Sequence, residues 1–164
     1  MHMNEIKKRI GVTRIANVTG LDRIGMPVVA AIRPLSRNIT VSFGKGADAA
    51  QASLSALMEA AELHYSETPP RPLRTARFRD LRDEGAVDPA RLNPIDPDAD
   101  LTDVSFDWIA AEALGSGETA LLPWCLASMD FSLKGRRARR HLTFGATGLA
   151  AGFESDRAIL HGLY

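Results

Sequence analysis

The stretch Asp48-Ala49-Ala50-Gln51-Ala52-Ser53-Leu54-Ser55-Ala56-Leu57-Met58-Glu59-Ala60-Ala61-Glu62-Leu63-His64-Tyr65-Ser66, followed by Thr68-Pro69-Pro70, reads as a single amphipathic helix. Asp48 is an N-cap type, its carboxylate able to accept from an orphan amide of the first turn. The proline pair stops the helix. Leu54, Leu57, Met58, Ala61 and Tyr65 follow i, i+3, i+4, i+7, i+11 and predict the buried stripe. At ~100° per residue, Ser55, Glu59 and Glu62 fall within an arc of ~60° beside that stripe. A hydroxyl and two carboxylates therefore share one face at the edge of the core. Carboxylates three residues apart repel, by on the order of a few tenths of a kcal/mol in water and more when half buried. A divalent cation relieves that repulsion, and hard oxygen donors suit Mg²⁺, which keeps several waters and bridges a few carboxylates to nucleotide phosphates. The alternative is an ordinary charged flank on a helix.

Upstream, Pro27-Val28-Val29-Ala30-Ala31-Ile32 and Ile39-Thr40-Val41-Ser42-Phe43, joined by Arg33 to Asn38, predict a hairpin that leads into the helix. Gly44-Lys45-Gly46 lies between the two. It is not a P-loop, because Ile39 occupies the first glycine position and Gly46 follows the lysine. Lys45 reads either as a flexible point charge for a phosphate, with glycines that let the backbone come close, or as a turn at a strand end. Thr13-Arg14 reads as a polar segment ahead of the first strand. Downstream, residues 67–103 contain six of the nine prolines. There an arginine block (Arg71, Arg74, Arg77, Arg79, Arg82) precedes an aspartate block (Asp96, Asp98, Asp100, Asp103). Exposed, mutually neutralising loops with one short helix are expected. Residues 104–164 resume strand signals at Ser105-Phe106-Asp107-Trp108 and Thr119-Ala120-Leu121-Leu122, around Gly115-Ser116-Gly117, and end in a helix capped by Ser155. The expected class is mixed α/β, a largely antiparallel sheet covered by helices.

With 164 residues and 45% hydrophobic side chains the chain can hold one domain core. Twenty basic and twenty acidic residues cancel, which removes the electrostatic case for nucleic acid or an anionic membrane as partner. No apolar run spans a bilayer and no leader pattern opens the chain, so a cytoplasmic protein is expected. Cys125 is the single cysteine, which excludes an internal disulfide and points to a buried thiol. His2, His64, His141 and His161 lack zinc-site spacing. Lys134 with Arg136-Arg137-Ala138-Arg139-Arg140 reads as a solvated hairpin tip or an anion-steering patch, and Met1-His2-Met3 as an expression remnant. The glycines of Thr147-Gly148-Leu149-Ala150-Ala151-Gly152 either present main-chain N–H groups to an anion or only turn the chain.

Four stretches, in order and spacing, resemble the opening of a YcaO domain. They are Gly11-Val12-Thr13-Arg14-Ile15-Ala16, Thr19-Gly20-Leu21-Asp22-Arg23-Ile24-Gly25-Met26-Pro27-Val28, Ser42-Phe43-Gly44-Lys45-Gly46, and Ser55-Ala56-Leu57-Met58-Glu59-Ala60-Ala61-Glu62. Leu121-Leu122-Pro123-Trp124, Thr147 to Gly152 and Ala158-Ile159-Leu160-His161-Gly162-Leu163 match more weakly. The resemblance implies ATP and Mg²⁺ as cofactors, with Glu59 and Glu62 on the metal and Thr13, Arg14, Lys45 and Ser55 near the nucleotide. It implies phosphorylation of a peptide-backbone amide oxygen, followed by attack of a Cys, Ser or Thr side chain to give an azoline, or of a sulfur donor to give a thioamide. The implied partners are a peptide substrate and a sulfur-delivery or precursor-recognition protein.

Two departures from the family pattern are present. Leu63 stands where the family has an arginine, and the chain ends at Tyr164, before the family's further glutamate and E-R-D run. Residues 1–164 thus read as the N-terminal portion of one YcaO-like domain, with 11–66 carrying the motifs, 67–103 a loop-rich connection and 104–164 a second strand and helix segment. Two functions follow: ATP-dependent amide activation that the chain does not perform by itself, or a non-catalytic interaction domain derived from the same fold. Apolar surface around Ile159, Leu160 and Leu163, together with an open sheet edge, leads us to expect a homo-oligomer.

Overall fold

A computed structural model of the chain describes residues 3–132 and 140–164, so Met1, His2 and the basic cluster at Lys134 and Arg136 to Arg139 lie outside the described residues. The chain divides into two compact units, Met1–Glu67 with Ala146–Tyr164, and Thr68–Gly145. Strand pairing is antiparallel throughout both sheets, as expected, and divides into two three-stranded sheets.

The first unit opens with helix α1 (Met3–Arg9), followed by β1 (Arg14–Asn17), β2 (Val28–Ile32), β3 (Val41–Lys45) and helix α2 (Ala49–Ser66). Thr13-Arg14 therefore does not precede the first strand, because Arg14 begins it. The sheet order is β1-β2-β3, with Arg14 opposite Ile32 and Lys45 opposite Val28. Asp48 caps α2 in extended conformation and accepts from Gln51 N at 2.8 Å, while Gln51 Oε1 reaches back to Ala47 N at 3.3 Å.

The buried face of α2 is only in part the stripe expected from the sequence: Leu57 and Ala61 are buried, but the face is centred on alanines outside that stripe. Ala52, Ala56, Leu57, Ala60 and Ala61 pack against Val29 and Ala31 of β2 and against Ile6, Ile10 and Val12. Leu54 and Met58 are half-buried and Tyr65 is 53% exposed. The cause lies on β3. A Cβ added at Gly44 would lie 2.8 Å from Ala56 Cα and closer still to Ala56 N and Ala52 O, and one at Gly46 would lie 2.6 Å from Ala52 N. Only glycine on the strand and alanine on the helix permit that approach, so the small-residue face turns inward and the larger side chains rotate to the flank.

A buried ion pair ties the end of α2 to the hairpin connection. Arg33 (4% exposed) meets Glu67 (6% exposed) through two guanidinium bonds of 3.1 and 2.9 Å, and its Nε donates to Ile10 O at 2.9 Å. Ser36 Oγ donates to Glu67 Oε1 at 2.6 Å. Bidentate pairing and full hydrogen bonding offset the desolvation of both charges; removing one partner would cost about 3–5 kcal/mol. His64 stands 3.2 Å from Arg33 and is no plain surface residue: burial, then the Arg33 charge, holds its imidazole below the usual histidine value.

The unit closes with helix α4 (Ser155–Leu163), whose N-cap is Glu154 and not Ser155, with no side-chain cap bond. Gly162 packs on the preceding segment, where a Cβ would lie 2.8 Å from Gly148 O. The helix leaves Ile159, Leu160 and Leu163 exposed.

The second unit holds β4 (Arg74–Arg77), α3 (Phe78–Leu81), β5 (Ser105–Glu112) and β6 (Thr119–Pro123), with α3 completing the four helices among the described residues. The loop-rich reading of 67–103 missed β4. Arg74 and Arg77 flank Thr75 and Ala76 in its four residues, and charged side chains on an edge strand discourage pairing with other chains. Trp108, Phe106, Leu81, Leu101, Leu121, Cys125 and Leu142 form the core, and Trp108 Nε1 donates to Ala76 O at 2.9 Å. The expected neutralisation of the charged blocks is partly visible: Arg79 meets Asp103 at 2.6 Å, both exposed, and Arg74 meets Glu84. Such solvated pairs contribute little to stability.

The glycine contact yields a stability test. Gly44→Ala should destabilise the chain by about 2 kcal/mol or more through overpacking against main-chain atoms, whereas Gly20→Ala, with nothing within 4 Å of the added carbon, should be near neutral. Urea unfolding of the two variants checks the difference.

Candidate functional site

Lys45, Ser55, Glu59 and Glu62 line one cleft of about 550 Å³, together with Gln51, Leu54, Met58, Ala151 and His161. The four residues singled out from the sequence come together because α2 lies along β3. The hydrogen bonds Arg33 N→Thr40 O and Gly46 N→Pro27 O bracket the β2–β3 ladder. Even-numbered residues of β3 thus face β2, and the main chains of Val41, Phe43 and Lys45 face the open edge. Glu59 reaches that edge and accepts from the Phe43 main chain. Burial raises the Glu59 carboxyl above the ordinary glutamate value, the Phe43 bond lowers it in part, and the charge of Glu62 raises it further. Glu62 is held differently: its Oε1 accepts from Ala151 N at 2.9 Å.

Thr13 and Arg14 do not line this cleft. Thr13 N and Oγ1 both donate to Ile32 O of the central strand β2, at 2.9 and 3.4 Å, immediately before β1 at the opposite edge of the sheet. From Arg14, level with Val41, to Lys45 is four residues along and two strands across, roughly 13 Å and 10 Å at standard spacings. Leu63 is buried and also absent from the lining. Conversely, the sequence singled out neither Gln51 nor His161 for this site. Ala151 was legible only as part of a glycine-bearing segment suited to an anion, and the anion it meets is a side chain of the same protein.

The donors fit a magnesium ion as a partial wall. No group of three or more His, Cys, Asp or Glu side chains among the described residues could hold a metal alone. Two carboxylates that repel each other, beside a hydroxyl, suit an ion that completes its octahedron with water and phosphate oxygens. Glu59 and Glu62 would hold it, with Lys45 as a counter-charge to phosphate.

The model of the YcaO cyclodehydratase family, described as ATP- and Mg²⁺-binding, matches residues 43–164. The chain belongs to the YcaO family. An uncharacterised protein of Mycobacterium tuberculosis is 35% identical over 154 residues, covering 94% of this chain and 35% of that protein. One of Methanothermobacter thermautotrophicus is 37% identical over 157 residues, covering 94% and 39%. The chain thus spans between a third and two fifths of these relatives. Among solved structures, YcaO from Methanopyrus kandleri bound with AMPPCP and Mg²⁺ is similar at TM-score 0.68 and 23% identity, over 98% of this chain and 38% of that one. A heterocyclase in complex with substrate and cofactor is similar at TM-score 0.70 and 18% identity, over 96% and 26%. At these identities the likeness establishes the fold. No described helix is long and apolar enough to cross a membrane.

The Glu59 environment has a pH consequence. Its folded carboxyl lies above the ordinary value of 4.5, so its stabilising contribution is present below that value and is lost as pH rises through the folded one. Glu59→Gln keeps an acceptor for the Phe43 N–H and removes the charge. In metal-free buffer the variant should melt above the wild type at pH 7, with the gap closing toward pH 4. Melting below the wild type at pH 7 would contradict the assignment.

Proposed function

We propose that the cleft bounded by β3 and α2 holds the Mg²⁺-bound phosphates of ATP and that, in a protein of the relatives' length, it serves ATP-dependent activation of peptide-backbone amides. The observation that supports this most is that Lys45, Ser55, Glu59 and Glu62 share one cleft within the segment the family model matches. The Methanopyrus relative bound to AMPPCP and Mg²⁺ supports the choice of ligand.

When bound, Mg²⁺ neutralises charge on the triphosphate. Glu59 and Glu62 hold that charge in place, the Ser55 hydroxyl offers a donor or acceptor at the rim, and Lys45 sets a mobile ammonium against phosphate oxygens. In the reaction assigned to the family, the peptide carbonyl oxygen attacks the γ-phosphorus and the bond to ADP breaks. A Cys, Ser or Thr side chain then attacks the amide carbon, phosphate departs with the former amide oxygen, and the side-chain and amide protons are lost. The product is an azoline one water lighter than the peptide. A sulfur donor in place of the side chain gives a thioamide. Thr13 and Arg14 contribute, in this reading, to a part of the nucleotide site away from the carboxylates. A peptide substrate, a sulfur-delivery or precursor-recognition partner and a cytoplasmic setting complete the proposal. Self-association is assigned to the exposed Ile159, Leu160 and Leu163.

Positioning and electrostatics supply most of the acceleration in phosphoryl transfer, and this chain brings two carboxylates and one lysine to the cleft. Calorimetric titration with Mg²⁺ and AMPPCP should therefore give weak binding to the 164-residue chain, abolished in Glu62→Gln and weakened about tenfold in Lys45→Ala, the size of one charge-assisted contact. Mass spectrometry of peptide incubated with MgATP should show no loss of water with this chain, and an 18 Da loss with a protein of the relatives' length. Equal Mg²⁺–AMPPCP affinity in wild type and Glu62→Gln would favour the non-catalytic interaction domain.

A further inference from the structure

The glycine-bearing segment before α4 serves the carboxylate wall from outside it. Ala151 N donates to Glu62 Oε1 at 2.9 Å across 89 positions of sequence. Ala151 is placed by the helix that follows. Gly162, in the last turn of α4, packs so closely on Gly148 O that a Cβ there would lie 2.8 Å away, and Ala150 Cβ would be its next neighbour but one at 3.6 Å. The turn at Gly148 has φ +85°, a left-handed conformation that suits glycine. The close contact and the left-handed turn together fix where the Ala151 N–H points.

We propose that Ala151, held by the Gly148–Gly162 contact, is a positioning residue for Glu62: its main-chain N–H engages one carboxylate oxygen and leaves the other turned to the cleft for a cation. This rests on the reading of Glu59 and Glu62 as a metal wall. A carboxylate that ligates a metal gains from a second hydrogen-bond partner that fixes its orientation, and loss of such partners commonly costs tenfold to a hundredfold in metal affinity. Without the N–H, Glu62 would be free to swing about its χ angles beside the partly buried Glu59. With it, α4 and the metal wall are coupled, so cation binding should protect the amides of 148–163 from exchange.

The test separates this coupling from the metal reading itself. In the wild-type chain, the Ala151 amide should be protected from hydrogen exchange by its bond to Glu62, and that protection should be lost in Glu62→Ala, which removes the acceptor. An Ala151 amide equally protected in both chains would overturn the proposal whether or not metal binds. Mn²⁺ then serves as the probe cation. By electron paramagnetic resonance, Gly162→Ala and Ala151→Pro should each lose about tenfold or more in Mn²⁺ affinity, while Gly20→Ala should not. Wild-type binding with unchanged affinity in both variants would also overturn it. No Mn²⁺ binding by wild type, with Ala151 protection lost in Glu62→Ala, would sink the metal wall and leave Ala151 as a positioning group without a metal to serve.

Discussion

The contact between Gly44 on β3 and the main chain of Ala52 and Ala56 on α2 is the constraint on which the rest of the first unit depends. Helices commonly rest on sheets through interleaved side chains; here the strand offers a bare Cα and the helix offers alanine, so the backbones approach to the limit of van der Waals contact. That closeness fixes the rotation of α2 about its axis. Ala52, Ala56 and Ala60 must point inward, and Glu59, next to Ala60 in sequence, comes down onto the open edge of β3 at Phe43. Glu62 follows one turn on. The glycines beside Lys45 thus act first through packing, and any closeness they allow to a phosphate is a consequence of the same geometry.

The two carboxylates end in different environments although their spacing on the helix is all that the sequence displays. Glu59 is pushed toward its neutral form by burial, whereas Glu62 is tied by Ala151 to the segment before α4. A site with one strained and one anchored carboxylate suits a cation that arrives with its own ligands, because the ion relieves Glu59 without reorganising Glu62. The ion pair of Arg33 with Glu67 lies beyond the other end of this arrangement, and it holds the last turn of α2 to the β2–β3 connection. Its bidentate form makes that end of the helix intolerant of a lost partner.

Local signals were legible in the sequence and long-range ones were not. Asp48 as a cap, the prolines after Ser66, the β2–β3 pairing and the hairpin turning at Gly115 to Gly117 each depend on a few neighbouring residues, and each forms where the pattern placed it. Of the inward stripe of α2, Leu57 and Ala61 were read correctly and Leu54, Met58 and Tyr65 were not, because periodicity weights Leu, Met and Tyr over Ala, and nothing in the helix itself shows that its neighbour lacks a Cβ. β1 and β4 went unread because four-residue edge strands bearing arginine resemble loops. Of the site, Lys45, Ser55, Glu59 and Glu62 were legible through helix geometry and family resemblance together. The Ala151 bond, and the separation of Thr13 and Arg14 from Lys45, depend on tertiary placement that no local pattern encodes.

The central claim is that packing of α2 on β3 builds a cation-binding wall from Glu59 and Glu62 beside Lys45. Paramagnetic broadening by Mn²⁺–ATP in the amide spectrum of the labelled chain tests it most directly, since the effect falls off steeply with distance from the ion. The account predicts strong broadening at Phe43, Lys45, Glu59, Glu62 and Ala151, with Arg14, at the opposite edge of the same sheet, much less affected. Broadening centred on other residues, or none at concentrations that saturate a weak site, would contradict it.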